Sequence, residues 1–353
     1  MEGLGVHEYS SMLWYEALSY CWGEPIFDHA LQREGQTVPI TQNLASAVRH
    51  LQYPEAPRHL WIDALCICQH DDKEKSDQVQ HMFTIFRKAK SVVAWLGPQT
   101  PNTHLAFRLL RSWKELERDC KDLNHGHGLV CLHLLGNAYS ALLELCHRPW
   151  FRRTWIRQEV FGAKHLILQC GRSTHDWTNF PDIYDLLGWV EVETALANAS
   201  VPFGKFDLTM LRSLDIMKNP IPQNDGYEKT ISSQGIQAGG YLWTKILIDG
   251  ASYFEKSELR DGVYAYIGLA NEVTRLASRS KFMPESSELS TDQKLFHSYV
   301  CRASSIPFPV DYSKSISEIY QDVVKYLINR YCNSGPLLVL ESRKIEIPTC
   351  RAG

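Results

Sequence analysis

The chemistry open to this chain gathers in three aromatic-rich segments. Glu159 closes the third, which runs from Arg148 through Pro149, Trp150, Phe151, Arg152, Arg153 and Trp155. A carboxylate in that setting has two uses. It can form an ion pair with Arg152, Arg153 or Arg157, or it can stabilise positive charge that develops on a bound substrate. Asp63 ends the apolar run Leu60, Trp61, Ile62 of the second segment, where a charge costs free energy unless it is paired or opens on a cleft. It could hydrogen-bond a ligand ribose, cap the following turn or pair with one of the arginines. Ser19, Tyr20, Trp22 and Gly23 lie at the end of the first segment, Tyr15 to Gly23. The glycine permits close backbone approach, and Tyr20 or Trp22 could stack on a flat ligand ring. Aromatic residues at this density more commonly fill a core.

Other residues suggest chemistry less strongly. Cys66 and Cys68 form a Cys-x-Cys pair, but no second pair stands at ligand spacing, so no metal site is expected. A thiol nucleophile would need His70 or His81 within hydrogen-bond reach and a third group to orient it. His81 falls on the polar face of its helix. Neither a P-loop nor the glycine fingerprint of dinucleotide-binding folds occurs.

The elements that must position these residues follow from the apolar pattern. The chain has 353 residues, 44% hydrophobic and 22% charged, enough for one large domain or two ordinary ones with a substantial core. Its formal net charge of -3 gives no reason to expect a nucleic-acid partner. No apolar run approaches the roughly 20 residues of a membrane span. Met1 to Ser11 lacks a basic-then-apolar signal, so a cytoplasmic protein is expected, and its 10 scattered cysteines should be free thiols.

Strand runs are predicted over Tyr15 to Cys21, Thr37 to Ile40, His59 to Leu65, Ser91 to Gly97 and Lys164 to Cys170. Between them stand a helix capped by Thr41, an amphipathic helix over Ser76 to Lys90, a helical stretch over about 102–147 broken near His125 to Gly128, and a helix from Pro149 to about Ala163. Strands alternating with helices predict a parallel sheet covered on both faces, with ligands bound at the carboxyl ends of its strands. Ser19 to Gly23 and Asp63 to Gln69 fall at such ends. Beyond about residue 175 strand signals fade. Helical pieces are predicted over Leu208 to Met217, Tyr241 to Phe254 and Gly262 to Leu269, a mobile loop over 271–294, and a capped helix from Ser315.

Five motifs match one family in order: Ala17 to Gly23, Leu60 to Gln69, Gln78 to Phe86, Val93 to Gly97 and Arg148 to Glu159. On these the chain resembles the fungal heterokaryon incompatibility (HET) domain. The resemblance covers roughly 15–165, and the domain is expected at 12–172 with a helical insertion at about 102–147, followed by a mainly helical region at 173–353. Two later stretches, Leu259 to Leu269 and Val310 to Tyr320, resemble the helical region that often follows it. Cys68 stands where the family has Asn, and Phe86 where Tyr is usual. A thiol is a weak substitute for an amide that both donates and accepts.

HET domains are similar, more distantly, to Toll/interleukin-receptor (TIR) domains, with a flavodoxin-like parallel sheet. Some TIR domains cleave NAD at the nicotinamide glycosidic bond, using a Glu four residues after a Trp in a helix. Trp155 and Glu159 have that spacing, which puts both on one helix face. The resemblance therefore implies an α/β protein of flavodoxin or TIR type, acting in incompatibility, programmed cell death or innate immunity. It implies a catalytic Glu159, an NAD-contacting set of Ser19, Tyr20, Trp22, Gly23, Asp63 and Trp155, NAD as substrate and no required cofactor. Other incompatibility or signalling proteins, and further copies of the chain, are the implied partners. The alternatives are a non-catalytic interaction module and a degenerate family member, to which Cys68 would fit.

Overall fold

Glu16–Tyr20 (β1) carries apolar residues on alternate sides, and the fold uses both. The structure, a computed structural model, describes residues 14–33, 35–53, 55–122, 137–138, 140–181, 254–277 and 308–331. In chain order its elements begin with β1, the hairpin His29–Arg33 (β2) and Gln36–Ile40 (β3), helix Gln42–Leu51 (α1), strand Leu60–Trp61 (β4) and the single turn Asp63–Cys66 (α2). Helix Asp72–Lys88 (α3), strand Val92–Trp95 (β5) and helix Thr103–Asp122 (α4) follow. After a helical stretch at 140–146 come helix Ile156–Gly162 (α5), strands Leu166–Cys170 (β6) and Ser173–Asp176 (β7), and helices Asp261–Ala277 (α6) and Ile316–Tyr331 (α7).

Five strands form one sheet in the order β4-β1-β5-β6-β7. The first four are parallel, and β7 returns antiparallel to β6. Numbered among themselves, the parallel strands lie 2-1-3-4, the beginning of the flavodoxin-like order. The predicted α/β class with a covered, mainly parallel sheet is therefore what forms. Its two faces bury separate clusters. Leu18, Tyr20, Val93 and Trp95 point to the face covered by α1. Ala17, Val92, Ala94 and Leu168 point to the other, covered by residues of α3, α4, 140–146, α5, α6 and α7. The stretch expected as a helical insertion thus supplies sheet cover through Ala106, Phe107, Leu110, Trp113 and Leu142. The break expected near 125–128 lies outside the described residues.

Several expectations are corrected, each for a local reason. The strand predicted over His59 to Leu65 is only Leu60–Trp61, because the Ile62 carbonyl accepts the N–H groups of Leu65 and Cys66, at 2.9 and 2.8 Å, and opens α2. Helix α3 starts a turn before Ser76, because the Asp71 carboxylate accepts the N–H groups of Lys73 and Glu74. The helix predicted from Pro149 to Ala163 is split into a 3-10 turn, Pro149–Arg152, and α5. Glu255 causes the break. Its N–H donates to the Arg152 carbonyl at 2.6 Å and its carbonyl accepts from the Thr154 N–H at 2.9 Å, so these groups form a bridge instead of helical bonds. Phe254, expected in a helix, precedes that bridge with no helical assignment. Strands β2 and β7 were not predicted. Helix α6 runs to Ala277, so residues 271–277 of the loop expected over 271–294 are helical; the rest of that stretch lies outside the described residues, as does the helix expected over 208–217.

The caps behave as their residue types require. The Thr41 hydroxyl accepts the Leu44 N–H at 3.4 Å. The Ser315 hydroxyl and N–H bond the Glu318 carboxylate, and the Glu318 N–H returns to Ser315 Oγ, a reciprocal capping box.

Candidate functional site

Ser19 is the last but one residue of β1, and its side chain points to the same face as Ala17, where α5 packs. There the Ser19 hydroxyl donates to Glu159 Oε2 and accepts the Trp150 indole N–H at 2.7 Å. One hydroxyl thereby ties β1 to both pieces of the broken helix. Glu159 is 2% exposed. Arg153 Nη1 lies 3.5 Å from Glu159 Oε2, an ion pair beside rather than along a hydrogen bond.

Asp63 approaches from the neighbouring strand end. Its Oδ2 accepts the Trp22 indole N–H at 3.0 Å, and the Tyr20 hydroxyl lies within its field. Two carboxylates, Asp63 and Glu159, thus share the field of one guanidinium at the carboxyl ends of β1 and β4. Loss of water pushes the Glu159 carboxyl above its ordinary range. Arg153 and the Ser19 hydroxyl pull against this, and the Asp63 charge adds to it. Burial raises the Asp63 carboxyl too, against Arg153 and the bond from Trp22. Burial opposes the Arg153 charge, yet the Glu159 carboxylate, with Cys21 and Asp63 behind it, holds that guanidinium more firmly protonated than usual.

The expected site residues divide into two groups. Ser19, Tyr20, Trp22, Asp63 and Glu159 converge around Arg153. Tyr20 is buried in the α1-side core, so its ring is not a stacking surface, while Trp22 is 39% exposed at the rim. Gly23 adopts a φ of 75° directly after it, which turns the chain away from the sheet. Trp155 belongs to the second group. It precedes α5 one turn before Glu159, but its indole N–H points to Asp261 Oδ2 at 2.9 Å. Of the arginines weighed as partners of Glu159, Arg153 makes the contact. Arg152 instead reaches Glu255, and Arg157 lies over the rings of Tyr266 and Phe254.

Sequence reasoning missed Trp150 as a member of the cluster. Its indole N–H was the available signal, since a buried tryptophan needs an acceptor and Ser19 offers one. Cys66 and Cys68 are exposed free thiols. Among the described residues no three His, Cys, Asp or Glu side chains form a group able to hold a metal ion. Cys68 contributes its backbone N–H, which Glu74 accepts at 3.1 Å. No helix among the described residues is long and apolar enough to cross a membrane.

Comparison with known proteins gives a specific match. The family described as heterokaryon incompatibility protein (HET) matches residues 15–159, a stretch that begins just before β1 and ends on Glu159. Heterokaryon incompatibility protein 6, OR allele, of Neurospora crassa is 25% identical over 309 residues, covering 76% of this chain. The chain spans 44% of that relative's length. No solved structure matches the chain.

Proposed function

From a chain that carries a heterokaryon incompatibility (HET) domain over residues 15–159, we propose an effector of fungal heterokaryon incompatibility that cleaves the nicotinamide–ribose bond of NAD. The name of the Neurospora crassa relative supports the incompatibility role. Partners would be other incompatibility or signalling proteins and further copies of the chain.

The observation that carries the reaction is the placement of Glu159. It reaches the end of β1, where the parallel order turns from β1 toward β4 on one side and β5 on the other. Ligands of open parallel sheets bind in the crevice outside such a switch point. In the reaction the glycosidic C–N bond breaks, nicotinamide leaves with the bonding pair, and positive charge develops on the ribose. The Glu159 carboxylate stabilises that charge. Water then adds to the ribose carbon and releases a proton, giving ADP-ribose and nicotinamide. Trp22 at the rim offers a stacking face, and Asp63 an acceptor for a ribose hydroxyl. Substrate hydroxyls must take over the contact that Ser19 now makes.

The experiment is NAD consumption by the purified chain, resolved into products by chromatography. The expected outcome is turnover that falls by roughly 100-fold or more in Glu159→Ala. Equal rates would remove Glu159 from the reaction.

One observation favours a non-catalytic interaction module. Glu159 is 2% exposed and already engaged by Ser19 and Arg153, as a structural carboxylate would be. Ile26 and Phe27, 61% and 58% exposed just after Trp22, would then belong to a partner surface. On that reading folded Glu159→Ala retains toxicity in fungal cells and replacement of Ile26 and Phe27 by Ser abolishes it. The enzymatic reading reverses both outcomes.

A further inference from the structure

We propose that residues 254–266, beyond the matched HET region, complete the polar cluster at the strand ends, and that Asp261 is its positioning residue, acting through Trp155. The proposal rests on the reading of Ser19, Arg153 and Glu159 as a functional centre, and not on the reaction carried out there.

Four consecutive residues just before α5 are gripped by this segment. The Arg152 carbonyl accepts the Glu255 N–H, and the Arg152 guanidinium lies 3.4 Å from the Glu255 carboxylate. Arg153, whose side chain faces Glu159, pairs with Glu255 in a parallel bridge. The Thr154 N–H donates to the Glu255 carbonyl, and the Thr154 hydroxyl shares a 2.6 Å hydrogen bond with the Tyr266 hydroxyl. The Trp155 indole donates to Asp261. A seven-residue helix such as α5 has little stability of its own, so what fixes its first turn fixes where it points.

Asp261 has the stronger claim to an orienting role. Its Oδ1 accepts the Tyr312 hydroxyl at 2.6 Å while Oδ2 accepts Trp155 at 2.9 Å. The Tyr312 N–H is in turn anchored on Ser76 Oγ of α3 at 3.0 Å. A carboxylate that takes one donor on each oxygen sets direction, which apolar packing does not. From Trp155 the path to the cluster is short. The Glu159 N–H donates to the Trp155 carbonyl at 3.4 Å, and the Glu159 side chain meets Ser19, which holds the Trp150 indole. A change at Asp261 should therefore be felt at Trp150, on the far side of the cluster.

The Trp150 indole N–H resonance of the full chain, labelled with nitrogen-15 on tryptophan and identified by Trp150→Phe, reads this directly. The expected result is that Asp261→Asn and Trp155→Phe each move it by more than its linewidth. Trp155→Phe keeps an aromatic ring while removing the donor, so it serves where the other variant folds poorly. Val323→Ala, a truncation in the buried face of α7, controls for general loosening and is expected to lower Tm without moving the resonance. A Trp150 signal that stays in place in folded Asp261→Asn and Trp155→Phe, or that moves as far in Val323→Ala, overturns the proposal. The readout needs no NAD. A chain that never cleaves NAD can still show the coupling, and one that cleaves it can still lack it.

Discussion

At the scale of single residues the site turns on Ser19, a small hydroxyl that serves two larger side chains. It donates to Glu159 and accepts from Trp150, all three being buried. Ser19→Ala leaves both without that partner, and an unsatisfied buried polar group costs about 1–3 kcal/mol. A loss of that size in urea unfolding is the expected outcome, larger than removal of a surface hydroxyl would cause. The charge state of Glu159 gives a second expectation. Burial holds its carboxyl above the ordinary range, so the folded chain binds a proton more readily than the unfolded one. The resulting stability is fully present below the ordinary carboxylate pKa and is lost as pH rises through the raised value. Glu159→Gln, which stays neutral, should therefore gain Tm relative to the wild type as pH climbs from about 4 upward. A Tm difference that does not change with pH would show that Glu159 titrates normally.

At the scale of elements the packing of α6 on α3 and α5 is set by a missing side chain. A Cβ added at Gly268 would lie 2.5 Å from Phe83 Cβ on α3 and 2.9 Å from Gln158 Oε1 on α5. Gly268→Ala must push three helices apart, with an expected cost of about 1–3 kcal/mol in the unfolding free energy measured by urea titration. The elements also divide by what their own residues could reveal. The runs around β1, β5 and β6 are buried on both faces and read as continuous apolar segments, so their place in a parallel sheet was legible. The caps at Thr41 and Ser315 are local chemistry and were legible for the same reason. Strand β2, His29–Arg33, is mostly exposed and pairs only with β3, so it lacks the apolar pattern that marks a strand. The break at Arg153 was invisible because Glu255, about a hundred residues away, makes it. In the site, types and spacing pointed to Glu159, Asp63 and Ser19. Nothing in them could show that Trp155 turns to Asp261 while Trp150 turns inward, since both are tryptophans beside the same arginines.

At the scale of the whole molecule the matched HET region does not close its own core. Phe254, Val263, Tyr266, Phe308, Tyr312, Ile319 and Val323 join the cluster that lies over α3, α5 and the sheet. A chain ended after residue 181 should expose that face. Strong binding of an apolar dye and loss of a single cooperative unfolding transition are the expected results, against weak dye binding by the full chain. A truncated chain that unfolds cooperatively and binds no dye would make the later helices an accessory. Their lateness has a consequence during synthesis. The Val310 N–H bonds Gln80, and the Tyr312 N–H bonds Ser76, across sequence separations of 230 and 236 residues. At ribosomal rates of about 5–20 residues per second, the roughly 150 residues between α5 and these contacts take on the order of 10–30 s to emerge. For that interval each nascent chain carries the apolar face that Phe308, Tyr312, Ile319 and Val323 later cover still open to water.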